Sequence, residues 1–124
     1  MNHLLLPEMT SGPDALNSVG AISMERLINQ MVKLGAERDR LSAKVFGGAS
    51  MLSGMTDIGS RNTAFSRDYL AREGIVCEGQ STGGTSARRV KFFPFLGKAR
   101  QRFVNRAPDL VPVKVPAAED IELF

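Results

Sequence analysis

The chain has 124 residues, of which 43% are hydrophobic and 23% are charged, the size and composition of one ordinary soluble domain. It contains one cysteine and one histidine, which excludes an internal disulfide bond and a zinc site built from those two residue types. The longest apolar run near the start, Leu4 to Pro7, is far shorter than the roughly 20 residues that cross a bilayer. We therefore expect a cytoplasmic protein with no membrane insertion.

The net charge of +3 is unevenly distributed along the chain. Residues 1–85 carry eight basic and nine acidic side chains, and residues 107–124 carry one basic and four acidic side chains. Residues 86–106 carry seven basic side chains and no acidic one. The excess positive charge therefore lies in one stretch, Ser86 to Arg106.

The amino-terminal part predicts a strand, a loop and a helix. His3-Leu4-Leu5-Leu6 is apolar and ends at a proline, which is typical of a short buried strand. Residues Pro7 to Ser18 are rich in turn formers and predict a loop. An amphipathic helix is expected over about Val19 to Leu34, with Ser18 as its N-cap and Gly35 just beyond its end. Its apolar stripe consists of Met24, Leu27, Ile28, Met31 and Val32.

The middle of the chain alternates between strands and a helix. Leu41 to Phe46 is short and β-prone and predicts a strand. Asp57 to Arg72 predicts a second helix that ends at Gly74, with Asn62, Phe65 and Tyr69 on one face. Ile75-Val76-Cys77 reads as a brief buried strand, in which Cys77 packs as a small apolar side chain.

The basic stretch predicts a β-hairpin. Its arms run from Ala87 to Phe95 and from Lys98 to Val104, and residues 94–97 form the turn. Phe92 and Phe103 are expected on the apolar face, so no aromatic stacking platform is expected beside the basic side chains of the other face. After Arg106, three prolines and several carboxylates predict an extended acidic tail, which we expect to be disordered or loosely docked.

The order strand, helix, strand, helix, strand, hairpin predicts an α/β fold, a layered mixed sheet with helices packed on it. We expect one domain over residues 1–106 and a Pro-rich acidic tail over residues 107–124.

Several motifs resemble the chemoreceptor glutamine deamidase family, CheD. The clearest are Leu41-Ser-Ala-Lys-Val-Phe-Gly-Gly-Ala-Ser-Met51 and Ile58-Gly-Ser-Arg-Asn62. Met1-Asn-His-Leu-Leu-Leu-Pro7 is similar to the histidine-bearing strand of that family, and Thr82-Gly-Gly-Thr-Ser-Ala-Arg-Arg-Val90 to its late Gly-Gly segment. The resemblance covers residues 1 to about 104.

The resemblance implies an enzyme of bacterial or archaeal chemotaxis that hydrolyses chosen glutamine side chains of chemoreceptors to glutamate and ammonia, without a cofactor. It identifies His3 as the catalytic histidine. The chemistry needs a thiolate that attacks the amide carbon and an imidazole that moves the proton. The family carries its cysteine in a Gly-Ser-Cys turn ahead of the histidine strand, together with a threonine, and no residue of this chain matches either one.

We therefore expect the chain as given to be inactive. A copy of the enzyme that is truncated at its amino terminus and lacks its first strands is favoured over a degenerate member of the family. The truncation is favoured because Met1 opens inside a predicted central strand. The alternative is a non-catalytic module that binds a CheC-type phosphatase of the response regulator, also a partner implied by the family.

Other motifs have simpler interpretations. Asn62 is expected to cap or orient its helix in preference to contacting substrate. The pairs Gly47-Gly48 and Gly83-Gly84 are expected to form scaffolding around the site. The basic hairpin could bind nucleic acid, the chain's own acidic tail or an acidic receptor surface, but a solvated sheet face is favoured and no nucleic-acid partner is expected.

Overall fold

The computed structural model describes residues 1–4, 13–51, 58–104 and 121–124. Two α-helices, five β-strands and one short 3-10 helix lie in these ranges, and the strands form two sheets. The elements are helix α1 (Pro13–Lys33), the 3-10 helix (Arg38–Arg40), strand β1 (Ser42–Gly47), helix α2 (Ile58–Arg72), and strands β2 (Val76–Thr82), β3 (Ala87–Phe93), β4 (Lys98–Val104) and β5 (Ile121–Leu123). The predicted α/β class is confirmed.

Helix α1 begins six residues before the predicted start. Pro13 is its first residue, a position that proline favours because its fixed φ suits the helix and its missing N–H would be unpaired there anyway. The Ser18 N-cap and the loop over residues 13–18 are therefore wrong. The predicted end is confirmed within one residue, since Gly35 has a φ of 101° and the N–H of Ala36 donates to the Met31 carbonyl at 3.0 Å.

Both helices pack together with the parallel pair β1–β2. Ser42 pairs with Val76 and Gly47 with Thr82, and α2 forms the crossover between the two strands. The core lies between the helices and this pair. Its buried side chains are Ile28, Tyr69, Leu70 and Ile75, with Met24, Leu41, Ala43, Val45 and Phe65 packed around them. Met31 and Val32 are exposed, so only part of the predicted stripe on α1 reaches the core.

The predicted hairpin is confirmed as β3–β4, with its turn at residues 94–97. Strand β5 pairs with β4 on the other side, and Phe124 exchanges two backbone hydrogen bonds with Ala99. The Phe124 ring contacts Phe46 of β1 edge-on at 5.1 Å. The expectation of a loose tail is therefore wrong at residues 121–124. Residues 105–120, the rest of that segment, lie outside the described ranges.

Residues 1–4 have no regular secondary structure. The remainder of the predicted first strand, Leu5 and Leu6, and the predicted loop over residues 7–12 lie outside the described part of the chain.

Candidate functional site

His3 lies between two anchored neighbours. On one side, the Ser23 hydroxyl of α1 donates to Asn2 Oδ1 at 3.0 Å, and Asn2 Nδ2 contacts Met24 Sδ at 3.6 Å. On the other side, Asn62 Nδ2 of α2 donates a long hydrogen bond of 3.4 Å to the Leu4 carbonyl. His3 itself is exposed. The backbone is thus tied to both helices while the imidazole remains accessible to solvent.

Asn62 does not cap its helix. It lies in the second turn of α2, where its side-chain amide orients the helix relative to the segment that bears His3. Its Oδ1 is buried and has no hydrogen-bond partner among the described residues. A buried amide oxygen of this kind is an acceptor without a described donor, on the residue that bonds the segment bearing His3.

The two Gly-Gly pairs are joined to each other through backbone hydrogen bonds. The Gly83 N–H donates to the Gly47 carbonyl at 2.9 Å, and the Ser50 N–H donates to the Gly84 carbonyl at 2.8 Å. Both contacts lie at the carboxyl ends of β1 and β2, where the two parallel strands emerge on the same side of their sheet. The strand ends and the following turns are therefore fixed as one unit.

Arg88 holds this unit together, and sequence reasoning missed it. Its guanidinium donates to the Gly47 carbonyl at 3.3 Å, to the Gly83 carbonyl at 2.8 Å and to the Ser81 hydroxyl at 3.2 Å. The same group lies 5.1 Å from the centre of the Phe103 ring. In the sequence Arg88 is one of seven basic residues in its stretch, and the alternation of β3 distinguishes it, because that alternation places Arg88 on the face of Val90 and Phe92, away from Arg89 and Lys91.

A close backbone contact joins these turns to α2. A Cβ added at Gly59 would lie 2.7 Å from the Gly48 carbonyl carbon and 3.0 Å from the Ala49 carbonyl oxygen. Only glycine permits this approach at the start of the helix. The first turns of α2, with Asn62, thus lie at the carboxyl ends of the strands, and so does the segment that bears His3.

Cys77 is far from this group. It is exposed, whereas the sequence predicted a buried side chain; among the described strands β2 pairs with β1 alone, and its first residues face solvent. Cys77 pairs with Ala43 near the amino ends of the strands, the end at which α2 finishes. From Asn62 to Arg72 the helix rises about 15 Å, so the structure does not bring Cys77 and His3 together as a nucleophile and its base.

Within the described ranges, no three His, Cys, Asp or Glu side chains are grouped so that they could hold a metal ion. Neither described α-helix has the length and hydropathy needed to cross a membrane.

Comparison with known proteins adds to this geometry. The sequence model of a family described as "CheD chemotactic sensory transduction" matches residues 5–103. Two relatives named "Probable chemoreceptor glutamine deamidase CheD" come from Caulobacter species: the protein of strain K31 is 47% identical and that of Caulobacter vibrioides strain NA1000 is 45% identical, each over 134 residues. A protein of the same name from Zymomonas mobilis is 45% identical over 132 residues.

All three alignments span 100% of this chain, so they include His3, which the family match does not reach. They cover 71%, 72% and 70% of the three relatives in the order given.

Proposed function

The chain belongs to the CheD family of chemotactic sensory transduction proteins. We propose on that basis that it forms part of a chemoreceptor glutamine deamidase. The reaction hydrolyses the side-chain amide of a receptor glutamine to a carboxylate and releases ammonia. The observation that supports this most is the placement of His3, whose two neighbours are bonded to different helices while its own side chain is exposed.

His3 is proposed as the proton-transfer group. In amide hydrolysis by a thiolate, an imidazole first takes the thiol proton and then protonates the departing nitrogen. Both steps need an imidazole at a fixed distance from the nucleophile. The contacts of Asn2 with α1 and of Leu4 with Asn62 restrict the backbone on either side of His3 and so support this role.

The nucleophile is proposed to be the cysteine of the family's Gly-Ser-Cys turn, which nothing in this sequence matches. Cys77 does not replace it, because it lies at the other end of the β1–β2 pair. The chain as given is therefore expected to be inactive on receptor glutamines.

The test compares this chain with a version extended by a segment that supplies the Gly-Ser-Cys turn and the threonine. Mass spectrometry of a receptor cytoplasmic fragment would detect conversion of glutamine to glutamate. We expect activity only in the extended protein, a loss of about a hundredfold or more in His3→Ala, and no loss in Cys77→Ala. A His3→Ala variant that folds and retains full activity would remove His3 from the mechanism.

A CheC-type phosphatase is proposed as a second partner and the cytoplasm as the location, both supported by family membership. Titration calorimetry of this chain with such a phosphatase tests the partner directly, because binding does not need the missing cysteine. An absence of heat at protein concentrations where the extended version binds would contradict a partner role for this chain.

A further inference from the structure

Five cationic side chains share one face of the hairpin, and we call this the basic face. The antiparallel register places Arg89 opposite Arg102 and Lys91 opposite Arg100, while Lys98 lies opposite Phe93. Directly opposite residues of an antiparallel pair lie on the same face, and like charges in such pairs repel each other. The two like-charged pairs destabilise the folded state by electrostatic repulsion, and an anionic partner would remove that repulsion.

No carboxylate among the described residues neutralises the basic face. The two described ion pairs, Arg38 with Glu73 and Arg40 with Glu37, lie elsewhere. Strand β5 borders the basic face with Ile121 and Leu123, opposite Arg102 and Arg100, and both apolar side chains are exposed. Its one acidic residue, Glu122, lies opposite Gln101 on the other face and accepts a hydrogen bond from that side chain.

An aromatic ring holds two of the cations in place. Lys91 Nζ lies 5.3 Å from the centre of the Phe93 ring, and Arg100 Cζ lies 5.5 Å from it. Phe92 and Phe103 lie on the other face, as the alternation predicted, but that prediction overlooked Phe93, whose ring lies among the cations. Stacking of this kind limits the side-chain freedom of both cations, which reduces the entropy they would lose on meeting an anion.

The apex of the hairpin is apolar and exposed. Two backbone hydrogen bonds close the turn, from the Leu96 N–H to the Phe93 carbonyl and from the Gly97 N–H to the Pro94 carbonyl. Phe95 is 99% exposed and Leu96 is 61% exposed. The Lys44 ammonium of β1 donates to the Gly97 carbonyl and ties the turn to the parallel pair. Phe95 and Leu96 thus belong to a turn that is hydrogen-bonded to β1.

We propose that this hairpin docks, apex first, on an anionic lipid surface. A bilayer surface presents phosphates outside and hydrocarbon beneath, and the hairpin presents the same two chemistries in matching order, with Phe95 and Leu96 outermost and the cations behind them. Lys98 follows the turn directly. Lys91 and Arg100 lie about 7 Å further back along their strands, within the roughly 10 Å over which charges act at 0.1 M salt.

An acidic protein surface would meet the basic face equally well, but it would need a separate pocket for the apex. A bilayer accepts exposed apolar side chains without such a pocket. The proposed docking is shallow and involves only a turn. It is therefore compatible with the earlier expectation, drawn from the short apolar runs of the sequence, that no segment near the start spans a membrane. It goes beyond the proposed deamidase function and does not depend on that function.

The test is co-sedimentation of the full chain with vesicles of phosphatidylcholine alone or mixed with phosphatidylglycerol. We expect binding to the anionic vesicles only, and its loss at about 0.5 M salt. The double variant Phe95→Ser/Leu96→Ser should bind about tenfold more weakly or worse, because it removes the apolar contact. Leu34→Ser, at another side chain that is 87% exposed, is the matched control and should bind like the unmodified protein.

A second pair of variants tests the charge. Lys91→Glu/Arg100→Glu should abolish binding, whereas Lys33→Glu/Arg72→Glu, with the same change of net charge on the exposed ends of the two helices, should reduce it far less. The chain has no tryptophan, so Phe95→Trp provides a single tryptophan whose fluorescence can be excited selectively. Its emission should shift to the blue on anionic vesicles as the side chain leaves water. Circular dichroism establishes that each variant is folded.

Three results would overturn the proposal. Failure of the unmodified chain to bind anionic vesicles at low salt is the first. The second is full binding by the apex variant together with loss in the charge variant, which would show that charge alone drives the binding and that Phe95 and Leu96 do not enter the bilayer. Binding to a DNA duplex without binding to vesicles is the third, and it would restore the nucleic-acid hypothesis.

Discussion

The side chain of Asn62 reaches the backbone carbonyl of Leu4, 58 residues away in sequence, through a hydrogen bond of 3.4 Å. This contact joins the second turn of α2 to the residue that follows His3. It is the only described hydrogen bond between α2 and residues 1–4. The Asn62 amide therefore restrains the backbone next to His3, and no described hydrogen bond joins it to the imidazole.

Replacement of Asn62 by alanine should loosen His3 while changing stability little. The variant loses the bond to Leu4, worth about 1 kcal/mol, but it also removes an Oδ1 that is buried without a described partner. The two effects oppose each other, so we expect a change in the free energy of unfolding below about 1 kcal/mol.

Proton NMR measures the ordering directly, because His3 is the only histidine and its ring signals are unique. We expect narrower ring signals in Asn62→Ala, because the imidazole becomes more mobile. Ser60→Ala, an exposed position of the same helix, is the control and should leave them unchanged. Unchanged signals in both variants would show that Asn62 does not order the segment.

Gly59→Ala should destabilise the fold, although alanine normally favours a helix over glycine by about 0.5–1 kcal/mol. The new Cβ would meet backbone atoms of Gly48 and Ala49 at 2.7–3.0 Å, and backbone yields less easily than a side-chain tip. We expect a loss of about 1–3 kcal/mol in urea unfolding.

Gly79→Ala provides the contrast, because its added Cβ finds its nearest neighbours, Lys44 Cγ and Phe124 Cδ1, at an ordinary 3.6 Å. Its effect should stay within about 0.5 kcal/mol. If both alanine variants were equally stable, the contact between Gly48 and Gly59 would not be a constraint.

Arg88→Lys should cost about 1–3 kcal/mol, since an ammonium cannot donate to the Gly47 and Gly83 carbonyls and the Ser81 hydroxyl while also stacking on an aromatic ring. The adjacent Arg89 is exposed and lies on the basic face, so Arg89→Lys should be nearly neutral. Thermal unfolding of both variants measures the difference. Equal midpoints would show that the guanidinium does not clamp the turns.

Tyr69 should make the protein sensitive to alkaline pH. Burial, and next the nearby carboxylates of Glu73 and Glu25, raise the pKa of its phenol above the usual 10.0, while Arg38 acts in the opposite direction. The folded state therefore holds this proton more tightly than the unfolded state. The corresponding stability is fully present below pH 10 and is lost as the pH rises through the folded pKa.

The chain has one tyrosine and no tryptophan, so tyrosinate absorbance reports Tyr69 alone. We expect its titration in the native protein to lie above that in urea. The loss of stability above pH 10 should be smaller in Tyr69→Phe, which retains the ring in the core. A native titration at or below the one in urea would contradict the effect of burial.

The sequence predicted the elements whose periodicity is set by their own residues. Helix α2 and the β3–β4 hairpin have clear repeats and short, glycine-containing ends, and both were located within two residues. The start of α1 was missed because Gly12-Pro13-Asp14 is also a common turn, and only the structure distinguishes a proline that begins a helix from one that forms a loop.

Strand β5 was missed for a different reason. The composition around it is dominated by proline and carboxylates, and the three residues form a strand only because β4 offers a free edge and Phe46 accepts the ring of Phe124. The exposure of Cys77 likewise follows from β2 having β1 as its one neighbour among the strands that the structure describes. Partner strands brought together by tertiary structure override local preference, and no local pattern records them.

The site was predictable only in part. The motifs singled out His3 as the proposed catalytic residue and Asn62 as a residue that caps or orients its helix, but the hydrogen bond from Asn62 to Leu4 spans 58 residues and leaves no local signal. Arg88 lies among other basic residues, and its role follows from the direction of one side chain.

The β3–β4 hairpin pairs residues that are close in sequence, whereas the β1–β2 pair joins residues that are far apart. This difference affects the order in which the two sheets form. In the antiparallel sheet, Phe93 and Lys98 pair across a four-residue turn, whereas β1 and β2 pair Ser42 with Val76, with a helix between them. Hairpins close in about 1–10 μs, and pairings between distant residues follow later because more chain entropy must be lost first. Pulse-labelled amide exchange should therefore protect β4 before β1. A refolding chain would then form its basic face before the β1–β2 pair, and before the crossover helix α2 that bonds the segment bearing His3 is fixed between those strands.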